Sequence, residues 1–132
     1  MIKERYCSYE VSKLLREKGF DESIHEFYDS SGTIILYASN KEGFRLSELN
    51  GVYYPHITHQ MAIDWLREIY NILIWLFPVI PVPIPKDETV FHWEWKAKKK
   101  LHRYPNVNKH IKYETYEEVV EAALKYCITK LI

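Results

Sequence analysis

Near the start of the chain, hydrophobic positions recur at helical spacing. Val11, Leu14 and Leu15 make a stripe that Cys7 extends, and Lys13, Arg16, Glu17 and Lys18 fall on the other side. Ser8 is a residue type that caps helix starts and Gly19 one that stops helices, so a short amphipathic helix is predicted between them. Two runs rich in β-formers, Ile24–Tyr28 and Thr33–Ala38, flank Asp29-Ser30-Ser31-Gly32. Turn chemistry between such runs predicts a hairpin. The stretch "VYYP" at residues 52–55 reads as one further short strand.

Thr58 then caps what reads as the longest helix, "HQMAIDWLREIYNILIWLF", with Met61, Trp65, Leu66, Ile69, Leu73 and Leu76 at helical spacing. Asp64, Arg67, Glu68 and Asn71 form its polar face. Past Asn71 that face vanishes, and a helix end apolar on every side is expected to be buried on every side, by the domain or by a second copy. Pro78 is expected to end the helix. Beyond it, Pro81, Pro83 and Pro85 alternate with Ile80, Val82 and Ile84. Two readings stand for this segment: a terminal strand whose prolines strip donors from one edge, or a polyproline II loop laid across the core. A linker would leave Val and Ile bare. Pro78-Val79-Ile80-Pro81 matches a proline-recognition pattern without a basic residue close behind. A membrane span is excluded, because the uncharged stretch is helical for only about nine residues, roughly 13 Å, where a bilayer core needs about 30 Å.

"ETVFHWEWKA" alternates, with Phe91, Trp93 and Trp95 on one face and His92, Glu94 and Lys96 on the other, which predicts a half-buried strand. A basic connection follows, then "IKY" as a short strand. Thr115 with Glu118 makes a capping box for a last helix running to about Lys130, its buried stripe Tyr116, Val119, Val120, Ala123, Leu124, Cys127 and Leu131. The predicted class is α+β: one small, mostly antiparallel sheet, hairpin plus Trp-rich strand, packed with three helices in a single domain over residues 1–132.

Composition fits a globular chain that needs no metal or disulfide: 132 residues, 47% hydrophobic and 27% charged. Lys plus Arg and Asp plus Glu both number 18, so no global field draws the chain to nucleic acid or acidic lipid. Eleven Tyr and four Trp favour a protein that binds something. "MIKERYCSYE" has no apolar run of the kind a secretory signal carries, so a cytoplasmic location with reduced thiols is expected; Cys7 and Cys127 could pair only if the terminal helices pack together.

The stretches "CSYEVSKLLREKGF", "THQMAIDWLREIYNILI" and "YETYEEVVEAALKYC" together resemble a group of small proteins of no known function encoded in prophages and mobile elements of gut anaerobic bacteria. The most specific part is Thr58-x-Gln60-Met61-Ala62 with Trp65-Leu66-Arg67, and Trp93-Glu94-Trp95 is similar to a strand of that group. The resemblance implies a bacterial cytosol and a phage-related accessory role. It carries no functional residue.

GxSxG, P-loop and GxGxxG patterns are absent, and neither a catalytic residue nor a cofactor is expected. His56 and His59 are candidate metal ligands, with Glu94 as a third. Asp64 and Glu68 could pair as acid and base beside Arg67. Lys96, Lys98, Lys99, Lys100, Arg103 and Tyr104 form a candidate nucleic-acid patch; its weakness is that Trp93 and Trp95 point to the core, leaving no exposed ring. Ile72, Trp75, Phe77 and Val79 are the candidate protein interface. The expected function is thus a non-enzymatic interaction protein, binding another protein or a second copy of itself. Nucleic-acid binding and a small enzyme are the alternatives.

Overall fold

The structure, a computed structural model, describes residues 4–37, 42–80, 91–99 and 107–132, the last segment without side chains for 107–110. Its class is α+β, with three α-helices and two antiparallel sheets of three strands among the described residues. The contacts gather into two compact units, Met1–Ala62 with Ile132, and Ile63–Leu131. The hairpin and the Trp-rich strand, expected in one sheet, lie in separate sheets.

In the first unit α1 spans Tyr9–Glu17. The Ser8 hydroxyl accepts from the Val11 amide at 3.2 Å, and the amides of Gly19 and Phe20 close back onto the carbonyls of Arg16 and Leu15. Gly19 sits at φ +93°, a conformation in which a Cβ is unfavourable, so the stop is backbone chemistry. Strands β1 (Glu26–Tyr28), β2 (Ile34–Leu36) and β3 (Tyr54–Pro55) form a sheet in the order β2-β1-β3. In the hairpin turn the Asp29 carboxylate accepts from the amides of Ser31 and Thr33 and from the Ser31 hydroxyl. The Ser31 hydroxyl, followed by the Thr33 amide, holds the Asp29 carboxyl below the ordinary range. The Tyr9 ring meets the rings of Tyr28 and Tyr54 edge-on at 5.5 and 5.4 Å, which seats α1 on the sheet. Val11, Leu15 and Phe27 are fully buried.

Helix α2 spans His59–Tyr70, its first turn in the first unit and the rest in the second. The Thr58 hydroxyl accepts from the Met61 amide at 3.1 Å, the expected cap. The expected run of this helix to Phe77 is corrected: it ends at Tyr70, and residues Ile72–Val79 form strand β4. Asn71 makes the turn at φ +57°. Asn tolerates the left-handed region, and the residues after it (Ile72, Ile74, Trp75, Phe77) are β-branched or aromatic. An apolar end on every side is therefore the two faces of a strand and not the circumference of a helix. Pro78, expected to stop the helix, lies inside β4 opposite Trp93. A proline is tolerated there because β4 is at the edge of its sheet. The question of edge strand or polyproline loop for Pro81, Pro83 and Pro85 falls outside the described residues.

The second sheet has the order β4-β5-β6, with β5 at His92–Lys99 and β6 at Val107–Tyr113. Helix α3 (Tyr116–Tyr126) starts where the Thr115 hydroxyl accepts from the Glu118 amide at 3.2 Å, and continues as a wider π-type turn over Cys127–Leu131. Val119, Val120, Ala123, Leu124, Cys127 and Leu131 are buried as the stripe predicted. Tyr116 is not buried; it stands 41% exposed with its ring against the edge of Trp93. Residues opposite one another on antiparallel strands share a face. Ile72, Ile74, Leu76 and Pro78 thus share one with Lys99, Ala97, Trp95 and Trp93. This is the face that meets α3, with Trp95 5.4 Å from the Tyr126 ring and Trp93 5.2 Å from Tyr116.

Candidate functional site

The other face of the β4–β5 pair carries Leu73, Trp75, Phe77 and Val79, opposite Lys98, Lys96, Glu94 and His92 respectively. A row of apolar side chains lies beside a row of polar and charged ones. Trp75 is 40% exposed, and the Lys96 ammonium sits 5.3 Å from its ring centroid, a cation–π contact. Leu73, Phe77, Val79, Lys96 and Lys98 are half-buried. Glu94 is buried, and His92 Nε2 lies 2.7 Å from its carboxylate. The carboxylate at that end is thereby engaged within the strand, while the two lysines at the other end stay in reach of solvent.

Strand geometry sorts the sequence candidates. From the interface set, Trp75, Phe77 and Val79 come together on this open face, whereas Ile72 is fully buried on the face toward α3. From the basic set, Lys96 and Lys98 share the open face with Trp75, and Lys99 points to the opposite one. Lys100, Arg103 and Tyr104 lie outside the described residues. Two candidate surfaces, read from the sequence as separate, are thus partly one. The missing exposed ring is also present, on a strand other than expected: Trp95 is 1% exposed, but Trp75 is open. Leu73, the fourth apolar member, was not among the candidates. Period-two placement after an Asn stop is the signal that would have included it.

The two candidate metal ligands go separate ways. His56 follows β3, its Nδ1 2.7 Å from the Glu26 carboxylate and its ring stacked on Tyr6 at 4.3 Å. His59 is buried in the first turn of α2, with its backbone amide donating to the Arg5 carbonyl. Glu94, the expected third ligand, is hydrogen-bonded to His92. No group of three or more His, Cys, Asp or Glu able to hold a metal occurs among the described residues. His56 lines a groove of about 390 Å³ with Glu4, Tyr6, His25, Glu26 and Thr58. A carboxylate on one ring nitrogen can orient a histidine as a base. Burial, followed by the Glu26 and Glu4 carboxylates, pushes the Tyr6 phenol above its ordinary range, so the groove opposes negative charge. On α2, Asp64 pairs with Arg67 at 3.0 Å on a solvated face, the ordinary arrangement for charges three apart on a helix.

Both cysteines are buried free thiols, and burial pushes Cys127 up to about 12. At that value its thiolate fraction is roughly one in ten thousand at a pH of about 8, and only the thiolate attacks. An aromatic disulfide reagent is therefore expected to titrate both thiols in denaturant and almost none in the native protein. A fast native equivalent that disappears in Cys127→Ser would contradict the burial. Comparison of the chain with protein-family models, curated proteins and solved structures gave no match.

Proposed function

We propose that this chain is a binding protein whose working surface is the open face of β4 and β5. The observation that carries the reading is the juxtaposition of exposed Trp75 with Lys96 and Lys98, flanked by Leu73, Phe77 and Val79. An aromatic anchor among apolar neighbours with a charged border is the usual anatomy of a recognition surface. The role fits the accessory function that the resemblance to prophage-encoded proteins implies. It also fits the absence of common catalytic motifs in the sequence. No described helix is long and apolar enough to cross a membrane.

The reading is tested by passing host lysate over immobilised protein, comparing wild type with Trp75→Ser. Trp75 is 40% exposed, so the substitution is expected to cost less than a core truncation, about 1–3 kcal/mol, and retention is compared at a temperature where both melting curves show folded protein. Retained material is expected to fall at least severalfold. Equal retention by both proteins would remove this face as the working surface. An enzymatic reading would centre on the His56–Glu26 groove, and turnover abolished by His56→Ala with retention unchanged would favour it.

A further inference from the structure

Resting on that reading of the face, the partner class follows from its charge. Among its described side chains the anionic group, Glu94, is buried and hydrogen-bonded to His92, while Lys96 and Lys98 border the exposed ring. A purely apolar partner seated on Trp75 would take both ammonium groups out of water with no counter-charge, which is costly. A partner that brings anions at the border and a flat apolar group at the centre avoids that cost. We propose that the open face of β4 and β5 binds single-stranded nucleic acid, with a base stacked on Trp75 and phosphates at Lys96 and Lys98.

The geometry suits such a ligand. Residues two apart on a strand lie about 6.6 Å apart, so Lys96 and Lys98 present two cations in line along the strand axis. Leu73 and Phe77 lie on either side of Trp75 at the same interval and extend an apolar floor for neighbouring bases. Lys96 already rests on the Trp75 ring, and a base arriving there exchanges a cation–π contact for stacking while the ammonium moves to a phosphate. A duplex cannot use the ring without unpairing a base, so single strands are preferred. The chain has no net charge, so no global field adds to the attraction of this patch, and a modest affinity is expected.

Anisotropy of a short labelled oligo(dT), titrated at several salt concentrations, tests the proposal. Binding is expected at low ionic strength, with a log–log salt slope of about −1.4, about −0.7 for each phosphate neutralised on a single strand. Trp75→Ser should weaken binding roughly tenfold to a hundredfold. Lys96→Ser or Lys98→Ser should each reduce the slope by about 0.7, and Lys99→Ser, on the opposite face, should leave it unchanged. The matching duplex should bind more weakly. No salt-dependent binding at low ionic strength would overturn the proposal, as would equal losses from Lys99→Ser and Lys96→Ser. If oligonucleotide binding is absent while lysate retention still depends on Trp75 and survives nuclease, the partner is a protein and only the nucleic-acid assignment fails. A Trp75-dependent dimer in light scattering without oligonucleotide binding would assign the face to a second copy of the chain. Loss of Trp75 dependence in both assays would sink the reading of the face itself.

Discussion

Trp95→Ala is expected to lower the unfolding free energy by about 3–5 kcal/mol, the range for removing a large aromatic from a core. Trp95 is 1% exposed, sits on β5 between Trp93 and Ala97 on the same face, and meets the Tyr126 ring of α3 at 5.4 Å. It ties sheet to helix in the second unit, where truncation leaves a cavity whose walls are a central strand and a packed helix. Trp95→Phe should behave very differently. The Trp95 indole nitrogen is buried with no hydrogen-bond partner among the described residues. An orphan buried donor costs about 1–3 kcal/mol, and phenylalanine removes it while keeping most of the apolar volume. The loss of area and the removal of the orphan N–H oppose one another, so Phe is expected within about 1.5 kcal/mol of wild type. Urea denaturation of both variants, with the slope checked for constancy, measures the difference. If Phe is as damaging as Ala, the N–H has a partner and the site is polar.

What was legible in the sequence follows from how local each signal is. Ser8, Gly19, Thr58, Thr115 and the Asp29–Gly32 turn act within four residues, and each forms the contact its chemistry prescribes. The stripes of α1 and α3 are legible for the same reason: one face is apolar and the other charged. Residues 72–79 carry no such contrast. An unbroken apolar run fits a buried helix or a strand, because periodicity needs polar positions to mark it. Its assignment as strand rests on pairing with β5, a partner about twenty residues away that no local pattern announces. The candidate site inherits that limit. Lys96 and Lys98 were visible as basic residues, and Trp75 as an apolar one. That they share a face depends on a cross-strand register, Trp75 opposite Lys96, which is a tertiary fact. Sheet membership was hidden likewise, since hairpin signals do not say which sheet a strand joins.

Asn71 decides between those two structures for the run, and its substitution has an outcome of opposite sign in each. At φ +57° a glycine loses no favourable geometry, and a β-branched residue meets a steric clash. Asn71→Gly is therefore expected to be neutral or slightly stabilising, and Asn71→Ile to cost about 1–2 kcal/mol. In a helix continuing to Phe77 the order reverses. Glycine there would cost about 1 kcal/mol relative to a good helix former, and isoleucine would extend the apolar surface at little cost. Asn71 is exposed and its amide donates to the Arg67 carbonyl, so neither change disturbs a core contact that could mask the backbone effect. Thermal and urea unfolding of the pair, read alongside far-ultraviolet circular dichroism, distinguish the cases. Isoleucine more stable than glycine, with a gain in helical signal, would return Ile72–Val79 to a helix and separate Trp75 from Lys96. The binding face depends on the same register, so Asn71→Ile should also weaken any ligand of that face, although the side chain at 71 is not part of it. Asn71→Gly should leave binding intact, and this contrast ties the helix stop to the function through the strand it launches.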